Sequence, residues 1–482
     1  MAILTENAKS GTSAWRITSP ATAGEIQGYS GGDSVNVGGS IDFYVSTRVA
    51  GTPYRMDFYR MGWYGGAGAR LMASVRDLVG RAQGFYSYST GLVDAKAALY
   101  DAHTGFLDVG WQPSYRLPVA SDWTSGVYLA VLSEARGKQS YIPFVVRQDD
   151  RPSDLLFKAS FNTYQAYNAW GGKSLYSDNS YGPSTVGGGS GAVKVSFNRP
   201  YDADMGSGHF LRYEYNQVRW IERMGYDVAY VADSDVAGNP HQLQQHRGFI
   251  SPGHDEYWTA EQRTSAEEAR DQGVHLAFLS GNSVYWQARY ERSSAGDPRR
   301  TLVMYRDPSD PICSTDVHRA TVQWKDPPVS KPQNLLTGTI YTGMADPFTQ
   351  DWVPQDTSSW IFQGTDLRPG DHVKGLVGKE FDRAATDLVG PPGLQVLSHS
   401  PIRVPATDLR KSTVYAESTL YTARSGASVF SAGTVTWGWG LDDQSFPIGT
   451  TLHNTPVSPQ IQRITQNLFD RFVYGPSGHS SG

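Results

Sequence analysis

The run Gly253-His-Asp-Glu-Tyr-Trp258 sets three ionisable side chains beside two aromatic ones. Arg247-Gly-Phe-Ile250 before it reads as an apolar strand, and Thr259 to Gln272 after it reads as a helix. The group therefore occupies a strand-to-helix turn, where α/β proteins keep their chemistry. Crowding His254, Asp255 and Glu256 into such a turn costs solvation unless something binds them. These residues point to a metal-dependent hydrolytic site with Glu256 among the ligands.

Other catalysts are excluded by spelling. There is no Gly-x-Ser-x-Gly elbow: Gly189-Ser190-Gly191 lies in a glycine run, and Asn282-Ser283 lacks the following glycine. His-Glu-x-x-His and the phosphate-binding Gly-rich loop are also missing. A single cysteine, Cys313, excludes an internal disulfide and any multi-cysteine metal site. Lys+Arg number 42 against Asp+Glu 47, with no basic stripe, so nucleic acid is not an expected partner. No run approaches the roughly 20 apolar residues that span a bilayer, and Met1 to Ser10 carries no signal-peptide core. The expectation is a soluble chain, either cytoplasmic or a secreted form lacking its leader. His241 and His246, in a polar stretch, read as surface residues.

The elements that must position the turn are legible from periodicity. Ile41–Ser46, Tyr54–Arg60, Gly126–Leu132 and Tyr141–Val146 alternate apolar residues at period two. Strands without an intervening long helix predict an immunoglobulin-like β-sandwich over residues 1–150. Arg147-Gln-Asp-Asp-Arg-Pro-Ser153 reads as the linker. Residues 151–482 then alternate strand and helix, with strands at Leu155–Ser160, Tyr226–Val231, Arg247–Ile250 and Val274–Ser280 and a helix over Leu211–Met224. This predicts a mostly parallel sheet with helices on both faces. Thr259 with Gln262 forms a capping box. The loops after these strands carry Asn162, Tyr164, Tyr167, Asp233, His254, Glu256 and Asn282 to one sheet edge. Later β-like runs, Ala427–Ser431 and Thr434–Trp437, read as additions to the same α/β part.

Phe161-Asn-Thr-Tyr-Gln-Ala-Tyr-Asn168 through Tyr176, together with the Gly253–Trp258 turn, resembles the large (β) subunit of N,N-dimethylformamidase. Ile26-Gln-Gly-Tyr29 and Tyr59-Arg-Met-Gly-Trp-Tyr-Gly-Gly66 are similar to the N-terminal part of the same group. The resemblance implies a glutamine-amidotransferase-like α/β domain after the sandwich. It also implies one mononuclear Fe(III) held by two tyrosines and a glutamate. The glutamate falls on Glu256 and the second tyrosine on Tyr176. The first falls on Tyr167, with Tyr164 competing. His254 and Asn282 take the places of catalytic residues beside the metal, and Arg306 and Glu380 are further candidates. The gap between the tyrosines is shorter here than in that enzyme.

Phenolate and carboxylate are hard oxygen donors that suit ferric iron. With iron as a Lewis acid, the resemblance implies hydrolysis of a small-molecule amide at its C–N bond, with His254 orienting a ligand or taking a proton from the water and Asn282 binding the oxyanion. Zinc or manganese fits two phenolates less well. The alternative is a non-catalytic protein whose aromatic loop, Trp63-Tyr64, binds carbohydrate or another surface polymer; the other reading of that loop is a cover for the sandwich end or the domain interface. A homo-oligomer is left open.

Overall fold

Period-two alternation in the first third forms strands, as a sheet with one buried face requires. They are β1 (Ile26–Ser30), β2 (Ser34–Asn36), β3 (Ser40–Thr47), β4 (Pro53–Met61), β5 (Ala69–Val79), β6 (Tyr115–Pro118), β7 (Gly126–Glu134) and β8 (Gln139–Arg147). The computed structural model describes residues 2–96, 99–405, 407, 414–445 and 455–475. One sheet has the order β1-β3-β6 and the other β2-β8-β7-β4-β5, antiparallel except for β2 beside β8. They face each other across a core in which Phe43 lies 5.2 Å, ring to ring, from both Phe58 and Phe144.

β7 departs from the expected one-sided pattern because all nine of its residues are buried. Tyr128, Ala130 and Leu132 fill the core between the two sheets. Val127, Leu129 and Val131 point the other way, into a core shared with Phe157, Val218 and Tyr230. A strand covered on both faces needs a continuous apolar run, and Gly126-Val-Tyr-Leu-Ala-Val-Leu132 supplies it.

The second part is a mixed α/β unit around a largely parallel sheet of seven strands. Its elements are β9 (Leu155–Ala159), α1 (Phe161–Tyr167), α2 (Tyr215–Met224), β10 (Val228–Ala232), β11 (Gly248–His254), α3 (Ala260–Asp271) and β12 (His275–Gly281). There follow β13 (Ile340–Trp352), β14 (Val373–Arg383), β15 (Gln395–Val396), β16 (Thr419–Thr422), β17 (Ser428–Ser431) and α4 (Pro459–Tyr474). The sheet order is β10-β9-β11-β12-β17-β16-β15; the first five strands are parallel, β16 runs against them, and β15 is antiparallel to β16. Helix α3 covers one face through Ala266 and Ala269 against Phe249 and Leu276. Helices α2 and α4 cover the other, with Val218, Ile221 and Phe469 near Ile250 and Ala277. Thr259 and Gln262 make the expected capping box on α3.

Three local expectations need correction. The helix expected from Leu211 begins instead as a wide π turn over Phe210–Glu214, and the α-helix starts at Tyr215. Buried Glu214 turns inward there and accepts from the backbone N–H of Ser160 at 3.1 Å. Thr434–Trp437 is a turn entering a 3-10 helix, because Gly433 adopts φ +68° and Thr436 donates its hydroxyl to the Leu376 carbonyl at 2.8 Å. His246 is buried and bonded to Ser153, Nδ1 to Oγ at 2.9 Å, so it pins the chain entering β9.

An ion pair joins the two parts. Arg60 on β4 and Glu222 on α2 are both fully buried and meet twice, Nη2 to Oε1 at 2.6 Å and Nη1 to Oε2 at 3.0 Å. Tyr230 also donates to Glu222 at 2.9 Å. Removing one partner of such a pair leaves a buried charge uncompensated. Glu222→Ala is therefore expected to cost about 3–5 kcal/mol in denaturant unfolding. A loss under about 1 kcal/mol would show that the pair does not hold the two parts together.

Candidate metal centre

Tyr167 ends α1 and Tyr176 ends the loop that follows, so two side chains nine positions apart must be folded onto one point. The buried guanidinium of Arg199 does this from within the loop. It donates to the carbonyls of Asn168 at 2.9 Å, Trp170 at 2.9 Å and Lys173 at 2.5 Å. Gly171 and Gly172, at φ +80° and +84°, make the reversal that brings the loop back. The two phenol rings end stacked, with centroids 4.5 Å apart.

Glu256 arrives from the turn after β11. Its backbone N–H donates to Thr163 Oγ1 on α1 at 3.0 Å, which ties the turn to the helix carrying Tyr167. Tyr167 Oη then lies 2.7 Å from Glu256 Oε2, and Tyr176 Oη lies 3.3 Å from both carboxylate oxygens. Tyr164 points elsewhere: its ring packs against Phe161 and Tyr201, and its hydroxyl environment is that of Glu214.

His254 and Glu380 complete the cluster. Gly253 adopts φ +55°, and a Cβ there would meet Tyr213 at 2.7 Å, so β11 needs glycine just before His254. His254 Nε2 lies 3.1 Å from Glu380 Oε2 and 3.4 Å from Glu256 Oε2. Glu380 comes from β14, which approaches over Gly281; a Cβ at Gly281 would lie 2.9 Å from the Glu380 carbonyl. Asn282, at φ +50°, donates from Nδ2 to Glu380 Oε2 at 2.7 Å, and its backbone N–H donates to Asp382 at 2.8 Å. The amide expected to face an oxyanion thus has one N–H engaged by Glu380, while its Oδ1 is buried without a partner.

The structure therefore brings together Tyr167, Tyr176, His254, Glu256 and Asn282. It adds Glu380 directly and Arg306 through Tyr257, whose hydroxyl lies 2.6 Å from that of Tyr176. Sequence patterns alone single out neither Tyr257 nor His209, which stacks on His254 at 6.0 Å. The one signal for Tyr257 is its place beside Glu256. Trp63 and Tyr64 are not a free binding loop: Trp63 lies under Arg219 and Arg223 of α2, and Tyr64 is buried against Arg60.

The electrostatics are those of a site that would welcome a cation. Burial, with Glu256 beside them, pushes the Tyr167 and Tyr176 phenols well above the usual range. Burial pulls the His254 imidazolium down, but Glu380 and Glu256 more than offset this and push it up to about 10. Burial raises the Glu380 carboxyl, and His254 reverses that and holds it below its ordinary value. One ligand atom each from His254, Glu256 and Glu380 lies within 4.8 Å of the others, so these three could hold a metal ion. The phenol oxygens in contact with Glu256 extend the donor set, and the orphaned polar atoms around it fit a bound group.

An α/β protein with a buried carboxylate and phenol cluster at the ends of parallel strands is the class defined here. Residues 55–452 match the model of the family described as N,N-dimethylformamidase beta subunit-like, C-terminal. The chain belongs to that family. No curated protein matches it. Among solved structures, an uncharacterized protein from Bacillus anthracis str. Ames is similar at 10% identity, covering 27% of this chain and 84% of its own, with a TM-score of 0.15. A chain from a structure concerning T cell specificity and activation by the bacterial superantigen toxic shock syndrome toxin-1 is similar at 19% identity, covering 25% of this chain and 97% of its own, also at TM-score 0.15. Likenesses of that size carry no argument. Among the described residues no helix is long and apolar enough to cross a membrane.

Because its folded pKa is raised, the His254 proton stabilises the metal-free fold fully below about pH 6.5, and that contribution is lost as pH rises through about 10. In metal-free protein the His254 ring is expected to titrate by NMR near pH 10, with Glu380→Gln bringing the midpoint down. A midpoint unmoved by that substitution would show that Glu380 is not the cause.

Proposed function

We propose that this chain is an iron-dependent amidohydrolase that cleaves the C–N bond of a small amide, with Tyr167, Tyr176 and Glu256 holding one ferric ion. The observation that carries the proposal is the Glu256 carboxylate, buried and met by both tyrosine hydroxyls at 2.7 Å and 3.3 Å. Three hard anionic donors match the charge and preference of Fe(III). The family's name supplies the amide class. The same reading takes the N-terminal sheets as an immunoglobulin-like sandwich and the second part as glutamine-amidotransferase-like.

Iron held there would supply a Lewis acid that polarises the amide carbonyl and makes hydroxide available near neutral pH. The protein's own groups handle the protons. Glu380, oriented by Asn282 and in contact with His254, is placed to accept a proton from the attacking water. His254, charged between two carboxylates, is placed to give its proton to the departing amine nitrogen. The second N–H of Asn282 Nδ2 is available to steady the substrate oxygen. Burial of the whole cluster strengthens each of these interactions.

A second donor set has its own support, since His254, Glu256 and Glu380 could hold a metal without the tyrosines. The two sets differ in colour: tyrosinate on ferric iron gives a visible charge-transfer band, and imidazole with carboxylates does not. The iron reading expects metal analysis of the purified protein to find about one iron per chain with that band. It expects Tyr176→Phe to weaken the band and Glu256→Gln to lose metal and amide turnover together. A colourless protein that takes up metal unchanged in Tyr176→Phe would favour the histidine set. Metal-free protein that stays so after reconstitution with iron would overturn the reading.

A further inference from the structure

Arg306 sits where the chain adopts φ +62°, a conformation that a non-glycine residue keeps only when its surroundings hold it there. Its guanidinium reaches Tyr176 by three routes. Nη1 donates to the carbonyl of Leu175, the residue before Tyr176. The guanidinium carbon lies 4.7 Å from the centre of the Tyr176 ring and 5.3 Å from that of Trp286. Nη2 donates to the hydroxyl of Tyr257 at 2.8 Å, and that hydroxyl lies 2.6 Å from Tyr176 Oη.

The first donor in this chain is fixed by chemistry. Arginine has N–H groups only, so Tyr257 must accept from Arg306. The Tyr257 O–H is then free to point at Tyr176. Tyr257 is fully buried and next in sequence to Glu256, so its ring cannot swing away without moving the turn that carries that carboxylate.

We propose that Arg306 and Tyr257 form a clamp that positions Tyr176 and donates a hydrogen bond to its oxygen when that oxygen holds the metal. The inference rests on the iron reading above. Both are positioning residues: Arg306 fixes the backbone and ring plane, and Tyr257 fixes the oxygen and draws electron density from it. Outer hydrogen bonds of this kind tune metal ligands elsewhere.

The test compares the wild type, Tyr257→Phe and Arg306→Lys after loading with ferric iron alone, reading iron content and the visible band. Loss of the donor leaves the tyrosinate oxygen more electron-rich, which lowers the charge-transfer energy. Tyr257→Phe is expected to keep its iron while its band moves to longer wavelength. Arg306→Lys, which keeps the charge but cannot span all three contacts, is expected to move the band the same way by less. A coloured wild type with unmoved bands in both variants would overturn the clamp and leave the iron reading standing. A wild type without the band would overturn the iron reading and the clamp with it. If Tyr257→Phe fails to fold, an unmoved band in Arg306→Lys alone overturns the clamp.

Discussion

Two carboxylates, Glu256 and Glu380, are buried on either side of one imidazole, and the architecture around them follows from that constraint. Anions taken out of water must be met by hydrogen bonds, a counter-charge or a metal. Here His254 supplies the counter-charge, Asn282 and the phenols supply the hydrogen bonds, and the phenols keep their protons as long as no cation competes. Each group is tolerable in the interior only because the others are present. The site therefore behaves as a unit, and changing one member alters the protonation of the rest.

Holding that unit together is the task of a second layer of buried charge beneath it. Lys158 on β9 pairs with Asp233 and, at 2.7 Å, with Asp255. Asp255 also accepts from Ser251 at 2.6 Å, and Asp233 accepts from the Asn162 N–H at 2.8 Å and from Gln262 at 2.6 Å. These bonds join β9, the start of α1, the turn after β11 and the first turn of α3. A network satisfied at this many points contributes little net stability against an apolar equivalent, yet it admits few alternative geometries. Glu256 leaves the chain directly after Asp255, so the network fixes its origin.

What the chain reveals before folding divides along lines of sequence distance. The capping box at Thr259 and Gln262 and the alternation of strand and helix are local patterns that appear in the structure, whereas the expected turn shrinks to Asp255-Glu256, because β11 runs on through His254 and Tyr257–Thr259 pairs as a short strand with Trp286–Ala288. The approach of β14 to β12 is not local. It depends on Gly281 having no side chain where the Glu380 backbone passes, and a lone glycine at a strand end serves equally well as a turn, a bulge or a cap. His246 looks like a surface residue because its neighbours are polar, while its burial is decided by Ser153, far away in sequence. Leu211, Tyr215 and Val218 are spaced in sequence as a regular helix would space them, so periodicity does not reveal the wide turn at Phe210–Glu214. Tyr257 stands next to a carboxylate and a tryptophan and resembles any core aromatic. Only the folded chain sets its hydroxyl between Arg306 and Tyr176.

Charge balance by itself does not choose between the two donor sets. A divalent ion with neutral His254 and two glutamates is neutral, and so is ferric iron with two tyrosinates, Glu256, Glu380 and a charged His254. The difference lies in which protons leave. Binding through the histidine set removes the proton from His254, the group whose carboxylate neighbours hold that proton firmly in the metal-free protein. Binding through the tyrosine set removes the phenol protons, and a trivalent ion compensates these most strongly because the new charge sits on the ligating atoms themselves. The second arrangement does not require His254 to give up that proton, so it does not remove the one group placed to act as an acid. Amide cleavage needs such an acid, because an amine leaves poorly without a proton. For the amide hydrolysis proposed above, the donor set that suits ferric iron is thus the one that does not take the His254 proton, and this coupling supports assigning the metal to the tyrosines and the proton to the histidine.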